Sequence, residues 1–139
     1  PMGRNASGVM GIRLKKNDRV IGMGIIPAHD KEQLKKYQVV SVMGKGYGKR
    51  TPLGLYKVQA RGGSGIKTAK VTAKTGDLTN AYVLNAEQMK DRDILIISAQ
   101  GQVIRLPFKT VNQLGRDTQG VRLMRFKEEN DSVACVSWI

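Results

Sequence analysis

A repeat of about 55 residues is the feature of this sequence that most restricts its possible folds. The pattern Arg-x-x-x-Gly-(Val/Ile) occurs three times, and its glycines, Gly8, Gly65 and Gly120, are 57 and 55 residues apart. The same 55-residue offset places Arg50 on Arg105. Dividing the length of 139 by 55 gives about 2.5 repeats. In such arrays each repeat buries its apolar faces against its neighbours.

Each repeat contains segments typical of four short strands separated by glycine-containing or polar turns. Helix is predicted only in two short connections, at His29–Lys36 and at Asn85–Lys90. Four-stranded antiparallel units at a fixed spacing are typical of propeller blades arranged radially. The predicted strands are Tyr37–Met43, Tyr47–Leu53, Ile66–Val71 and Leu78–Val83 in one repeat, and Ile94–Ser98, Gln102–Leu106, Val121–Phe126 and Ser132–Trp138 in the next.

These observations predict one all-β, propeller-like domain that is partial. A chain of this length can bury roughly two thirds of its unfolded surface, so a packed core is expected. The predicted divisions are a partial blade at 1–36, a blade at 37–91 and a last blade at 92–139.

Positive charge is concentrated in the first half of the chain. Residues 1–74 contain 16 Lys and Arg against three acidic residues, for a net charge of +13, whereas residues 75–139 contain eight of each sign. Between Gln33 and Gly76 there are ten basic residues and no acidic one. Because mixed signs serve solubility equally well, a single-sign field of this length indicates a polyanionic partner.

The sequence contains little that would support catalysis, metal binding or membrane insertion. One histidine, His29, and one cysteine, Cys135, allow neither a zinc tetrad nor an internal disulfide, and the lone thiol favours a reducing, cytosolic compartment. The longest aliphatic run, Ile94–Ile97, is far below the roughly 20 residues that span a bilayer. We therefore expect a soluble protein that is not an enzyme by itself and that has no metal or cofactor.

Two glycine-rich stretches require separate interpretations. The stretch from Gly44 to Arg50 lacks the spacing and the hydroxyl of a phosphate-binding loop, so we interpret it as a hairpin tip that carries Lys45, Lys49 and Arg50 outward. The stretch Gln59–Gly65 fits either a crossover between blades or a close approach to a nucleic-acid phosphate.

Three motifs together resemble the C-terminal domain of bacterial DNA gyrase A. They are Gly46–Pro52, Gln59–Thr68 and Gly115–Leu123, and the resemblance covers nearly the whole chain. It implies the last blades of a six-bladed β-pinwheel, a propeller variant in which neighbouring blades exchange a strand. The related topoisomerase IV protein carries a similar, reduced domain, and these residues do not distinguish gyrase from topoisomerase IV.

The resemblance implies an accessory domain of a type IIA topoisomerase, whose basic rim wraps duplex DNA without reading its sequence and supports negative supercoiling. Cleavage and ATP hydrolysis belong to other parts of that enzyme. The implied partners are double-stranded DNA, the remainder of gyrase A and, through it, gyrase B, at the nucleoid in the bacterial cytoplasm. The residues predicted to bind DNA, taken from repeat loops and hairpin tips, are Arg4, Lys45, Lys49, Arg50, Arg61, Lys67, Arg105, Arg116 and Arg122.

Two features depart from the family pattern. The family's Gln-basic-Arg-Gly-Gly-basic-Gly box has Ala60 and Ser64 at its basic positions here, which indicates a degenerate late-blade copy and places the box itself upstream of Pro1. Two and a half blades cannot close a ring, so we expect an open blade edge capable of self-association. The alternative functions are a propeller-type protein-interaction scaffold and an RNA-binding protein with a basic surface.

Overall fold

The computed structural model describes residues 2–27 and 31–139. These residues form seven β-strands and one short α-helix, and short 3-10 turns follow β2 and β5. The prediction of an all-β chain is therefore confirmed. The elements are α1 (Lys31–Lys35), β1 (Tyr37–Met43), β2 (Tyr47–Pro52), β3 (Leu78–Asn85), β4 (Asp93–Ser98), β5 (Val103–Pro107), β6 (Val121–Arg122) and β7 (Val133–Trp138).

The first sheet has four antiparallel strands in the order β3-β1-β2-β6. The run of β-branched and small side chains in β1 suits a strand that is covered on both faces, and Val39 lies opposite Thr51 of β2 and Val83 of β3. The turn between β1 and β2 ends at Gly46, which has a φ of 79° and donates its N–H to the Met43 carbonyl over 2.9 Å. This turn is the predicted hairpin tip.

Strand β6 joins the two repeats, because it follows β4 and β5 in sequence but pairs with β2 of the first sheet. The chain comes very close at this crossing. Gly120 has a φ of 76°, and a Cβ atom there would lie 2.5 Å from the Gly48 carbonyl oxygen. Glycine is therefore required where the two backbones meet.

The second sheet has the order β5-β4-β7, and the main core lies between it and one face of the first sheet. Trp138 closes this core through edge contacts with Tyr82 and Phe108, at centroid separations of 5.6 and 6.0 Å. The Tyr82 hydroxyl donates to the Val136 carbonyl over 3.0 Å, which ties the two sheets together. The buried residues of this core are Val42, Ile94, Ile96, Val111, Leu123, Met124, Val133 and Val136.

Two predicted strands are missing or much shorter in the structure, whereas the bounds of the others agree to within two residues. Ile66–Val71 is irregular: none of the described strands pairs with it, and its Lys70 N–H donates to the Thr118 carbonyl over 3.0 Å. The predicted strand Val121–Phe126 is reduced to β6, because the amides of Leu123 and Met124 both turn to the Gly46 carbonyl instead of continuing the ladder.

The two predicted helices are also shorter or missing. Asn85 is the last residue of β3, and 86–91 forms turns. The helix predicted at His29–Lys36 is reduced to α1, and His29 lies outside the described residues. None of the helices in the described ranges is long and apolar enough to cross a membrane.

Residues 2–27 form no strand and run over the first sheet and over the Gln59–Gly65 loop. Arg13 donates its N–H to the Gly63 carbonyl over 2.9 Å, and the Gly62 N–H donates to the Gly11 carbonyl over 2.9 Å. Many apolar side chains of this segment are exposed, including Met23 at 91% and Ile25 at 82%. One face of this segment is therefore uncovered.

Candidate nucleic-acid interface

The first part of the candidate interface is an aromatic and basic cluster at the hairpin tip. Arg122 of β6 lies opposite Tyr47 of β2, donates from Nη2 to the tyrosine hydroxyl over 2.8 Å, and places its guanidinium 5.1 Å from the ring centroid. The Lys74 ammonium lies 5.8 Å from the same centroid. Burial raises the pKa of Tyr47, but the hydrogen bond and charge of Arg122, together with Lys74, lower it by more, so the net shift is downward. Two cations are thus gathered around one anchored ring.

An open cleft of about 510 Å³ adjoins this cluster, between the hairpin tip and residues 122–131. Its polar lining contains five basic and three acidic residues, yet among the described residues no carboxylate lies within 4 Å of any of these five cations. The charged residues are Lys45, Lys74, Arg122, Arg125, Lys127, Glu128, Glu129 and Asp131.

Lys49 points into the protein rather than outward from the tip. Its side chain is fully buried, and its ammonium donates to the carbonyls of Gly115 (2.6 Å), Arg116 (2.6 Å) and Thr118 (3.1 Å) and to the Thr118 hydroxyl (2.9 Å). Burial lowers its pKa to about 8, while Asp117 raises the pKa and Arg116 lowers it further. Lys49 therefore holds the 115–118 loop in shape and has no ammonium donor at the surface.

Arg50 also has a structural position. Its Nε donates to the Val111 carbonyl over 2.6 Å, and its guanidinium lies 5.0 Å from the centroid of the Phe108 ring. Burial lowers the pKa of Arg50. At the equivalent repeat position, Arg105 is exposed and forms an ion pair with Asp93 over 2.5 Å. The repeat thus aligns two arginines whose environments differ.

Arg116 and Lys67 lie together at the meeting of two loops. Arg116 is half-buried, donates from Nη1 to the Lys67 carbonyl over 2.9 Å, and places its guanidinium 6.0 Å from the Tyr56 ring centroid. The exposed Lys67 ammonium is 3.5 Å from Asp117. The 115–118 loop is thereby attached both to the Lys49 ammonium and to the loop that contains Lys67.

The remaining predicted residues, Arg4, Lys45 and Arg61, are exposed. Within the part of the chain that the structure describes, their side chains form no hydrogen bond or ion pair. Of the nine predicted residues, only Lys45 and Arg122 share the cleft beside Tyr47.

Three further basic residues of the cleft, Lys74, Arg125 and Lys127, are not among the predicted set. The repeat aligns Arg125 with Lys70 and Arg13 and could have identified it. Lys74 reaches the cleft only because the turn before β3 packs against the hairpin tip, where the Lys45 N–H donates to the Thr75 carbonyl over 2.9 Å. In the described ranges, no group of three or more His, Cys, Asp or Glu side chains could hold a metal ion.

Comparisons with known proteins identify the family. A family model for the DNA gyrase C-terminal domain, a β-propeller, matches residues 1–27, 44–85 and 92–135. DNA gyrase A of Staphylococcus aureus strain MRSA252 is 38% identical over 129 residues, which cover 93% of this chain and 14% of that protein. The chain thus spans about one seventh of the length of the curated relatives it matches.

Solved structures agree with this result. A DNA gyrase A C-terminal domain superposes with a TM-score of 0.64 and 26% identity, covering 73% of this chain and 33% of that one. A DNA topoisomerase IV C-terminal domain has the same fold, with a TM-score of 0.78 and 18% identity over 95% of this chain and 38% of that one. With the exchanged strand β6 and the two antiparallel sheets, these matches show that the chain belongs to the DNA gyrase C-terminal domain family.

Proposed function

We propose that this chain binds double-stranded DNA without sequence preference and wraps it around the basic rim of its blades. The observation that carries the proposal is a set of exposed basic side chains, Arg4, Lys45, Arg61 and Arg122, with no carboxylate within 4 Å in the described residues. Uncompensated surface cations attract a phosphate backbone because binding releases its condensed counterions. Membership of the gyrase C-terminal domain family supports DNA as the polyanion.

The structure changes which of the predicted residues we assign to the DNA surface. Lys49 and Arg50 are left out, because their charged groups donate to carbonyls inside the protein. Lys67 and Arg105 are each neutralised by an aspartate. Together with the basic residues around them, the other five predicted residues would neutralise about five phosphates, which gives a slope of log K against log salt of roughly −4 to −5. The affinity then comes from phosphate neutralisation and DNA bending rather than from base readout.

Within a complete enzyme, we propose that the chain is the non-catalytic accessory region of a type IIA topoisomerase. DNA cleavage and ATP hydrolysis are assigned to other parts of gyrase A and to gyrase B. The wrapped segment would be presented to the strand-passage gate with a set chirality, which supports negative supercoiling. The bacterial cytoplasm, at the nucleoid, is the corresponding location.

We also propose that the uncovered apolar side chains of residues 2–27 mediate self-association when the chain is isolated. Met23 and Ile25 are largely exposed beside the first sheet, and apolar surface of this kind favours association. Sedimentation velocity should show an oligomer of the unaltered chain, and the Met23→Ser/Ile25→Ser variant should associate less at the same concentration. A concentration-independent monomer of the unaltered chain would contradict this proposal and leave the DNA proposal untouched.

The DNA proposal is tested with a relaxed plasmid, the full chain and a nicking-closing enzyme. Chiral wrapping should shift the distribution of linking numbers. The variant Arg4→Gln/Arg61→Gln should lower the shift, whereas Lys90→Gln/Lys109→Gln removes the same charge outside the assigned set and should leave it unchanged. Unchanged topoisomers together with salt-dependent binding would restrict the function to simple binding. A flat salt dependence would refute the electrostatic mechanism altogether.

A further inference from the structure

We infer that the cleft beside Tyr47 is a binding site for one backbone phosphate of duplex DNA, and that two successive repeats build it jointly. The inference rests on the proposed DNA-binding function and assigns a specific contact within it. The residues that carry it are Lys45, Tyr47 and Lys74 from one repeat and Arg122 and Arg125 from the next.

The site exists because β6 crosses from one repeat to the other. The pairing of Tyr47 with Arg122 brings a side chain from 75 positions away onto the hairpin tip. The crossing is held by the Leu123 N–H, which donates to the Gly46 carbonyl over 2.8 Å. A single repeat would present Lys45 and Lys74 alone, so the full set of donors depends on the junction.

The charge of the cleft is not neutralised from within. The carboxylate of Asp131 is buried and accepts hydrogen bonds from the backbone N–H groups of Gln100 (3.1 Å) and Ser132 (2.8 Å), so its lone pairs face the β4–β5 turn. Glu128 and Glu129 are exposed and lie more than 4 Å from the basic groups. Among the described residues, the five basic side chains of the cleft therefore form no ion pair with a carboxylate.

Arg122 is oriented in advance for such a ligand. Tyr47 is only 7% exposed, so its ring and hydroxyl are fixed on the strand, and together they hold the guanidinium by one hydrogen bond and by stacking. Nε and Nη1 of Arg122 form no hydrogen bond with any described residue. Nη2 has a second N–H besides the one that it donates to Tyr47, and this N–H is parallel to an N–H of Nε or Nη1, so the pair matches two oxygens of a phosphodiester. The compact Lys74 ammonium adds charge beside them.

The repeat indicates that the arrangement belongs to the junction. At the 55-residue offset, Lys67 and Lys70 occupy the positions of Arg122 and Arg125. The last hairpin differs, because Gln102 occupies the position of Tyr47 and donates from its side chain to the Arg125 carbonyl over 2.6 Å. That tip has no corresponding cation, and we assign the complete cleft in the described residues to the 47–122 junction.

The test measures affinity of the full chain for a short duplex over a series of KCl concentrations. Lys74→Gln/Arg125→Gln removes two cleft cations, and Lys90→Gln/Lys109→Gln removes two exposed lysines elsewhere as the matched control. The cleft variant should lower the magnitude of the salt slope by about 0.9, one phosphate contact, and weaken binding by on the order of tenfold at low salt. The control should retain the slope of the unaltered chain.

Equal losses in both variants would overturn the cleft and leave general electrostatic DNA binding intact. Absence of binding by the unaltered chain would refute the proposed function itself, so the two failures are distinguishable. An independent readout is the NMR signal of the Arg122 Nε–H group during titration with the duplex. It should shift strongly, and Tyr47→Phe should reduce the shift while preserving the fold. A shift no larger than that of the exposed Arg92 side chain would also overturn the inference.

Discussion

Replacing Lys49 by methionine tests the carbonyl cage around its ammonium. Methionine is unbranched and similar in length, so the change removes four hydrogen bonds with little change in shape. The Gly115 carbonyl keeps the Thr118 hydroxyl as a donor over 2.9 Å, and the Thr118 carbonyl keeps the Lys70 N–H over 3.0 Å. Among the described residues, only the Arg116 carbonyl therefore loses every donor. The 115–118 loop, which contains Arg116, should then lose its attachment to β2.

Two opposing terms set the size of the effect. Stranding the Arg116 carbonyl costs about 2 kcal/mol, and losing the charged donor at the Gly115 and Thr118 carbonyls costs about 1.5 kcal/mol each, which gives about 5 kcal/mol in all. Against this, burial lowers the pKa of Lys49 from 10.5 to about 8, and removing that buried charge returns about 3 kcal/mol at neutral pH. We therefore expect Lys49→Met to lower the free energy of unfolding by about 2 kcal/mol near pH 7.

The pH dependence gives a sharper test. Because the folded pKa of Lys49 is about 8 and its model-compound value is 10.5, the unfolded chain binds more protons between these values, and stability rises with pH there. Lys49→Met lacks this contribution. The loss of stability relative to the unaltered chain should therefore grow between about pH 8 and about pH 10.

Urea denaturation of the unaltered chain and of Lys49→Met across this pH range measures the difference in the free energy of unfolding. The control is Lys90→Met at an exposed position, which should stay within about 0.5 kcal/mol of the unaltered chain. Lys49→Met should also weaken DNA binding, because Arg116 loses its support. If Lys49→Met is as stable as the unaltered chain at both pH 8 and pH 10, the Lys49 ammonium does not stabilise the 115–118 loop, and the prediction is wrong.

Two other changes test the junction and the β4–β5 turn. Gly120→Ala places a Cβ against the Gly48 carbonyl at a φ of 76°, so thermal denaturation should show a loss of stability of at least about 2 kcal/mol. The control Gly101→Ala has a similar φ of 84° but open space around the Cβ, and it should cost about 1 kcal/mol. Equal losses in the two variants would contradict the close approach of the backbones at Gly120. Burial raises the pKa of Asp131, but hydrogen bonds from Ser98 and from backbone N–H groups lower it by more, so the folded pKa lies below the ordinary value of 3.8. The ionised carboxylate should therefore stabilise the fold above pH 3.8, and this contribution should disappear as the pH falls through the folded pKa. Asp131→Asn should remove that acid dependence, and an unchanged acid transition would contradict it.

Local sequence patterns predicted the strands that pair with their sequence neighbours. Tyr37–Met43 is β1 as predicted, and β2 and β4 differ from the predicted bounds by one residue each. These strands combine β-branched residues with a glycine turn, and such signals act over a few residues. Ile66–Val71 has a similar pattern but remains irregular, because a strand also needs a partner and none of the described strands pairs with it.

The candidate site was predictable in its charge but not in its geometry. The acid-free window and the repeat located the basic residues, and the gyrase motifs located the family. The sequence did not distinguish Lys45 from Lys49, which lie four positions apart in one basic stretch, yet one is exposed and the other is fully buried. Lys74 lies in the site because the turn before β3 packs against the hairpin tip.

The sequence by itself determined the repeat, the strand-forming segments and the concentration of positive charge, since each depends on residue type and short-range spacing. Tertiary structure decided which strands share a sheet and which cations remain at the surface. Lys49 is buried because residues 66 to 69 positions away supply its acceptors, and Arg122 reaches Tyr47 because β6 pairs with the preceding repeat. A buried charge requires acceptors that only the folded chain assembles, so the inward or outward position of a lysine is a property of the fold.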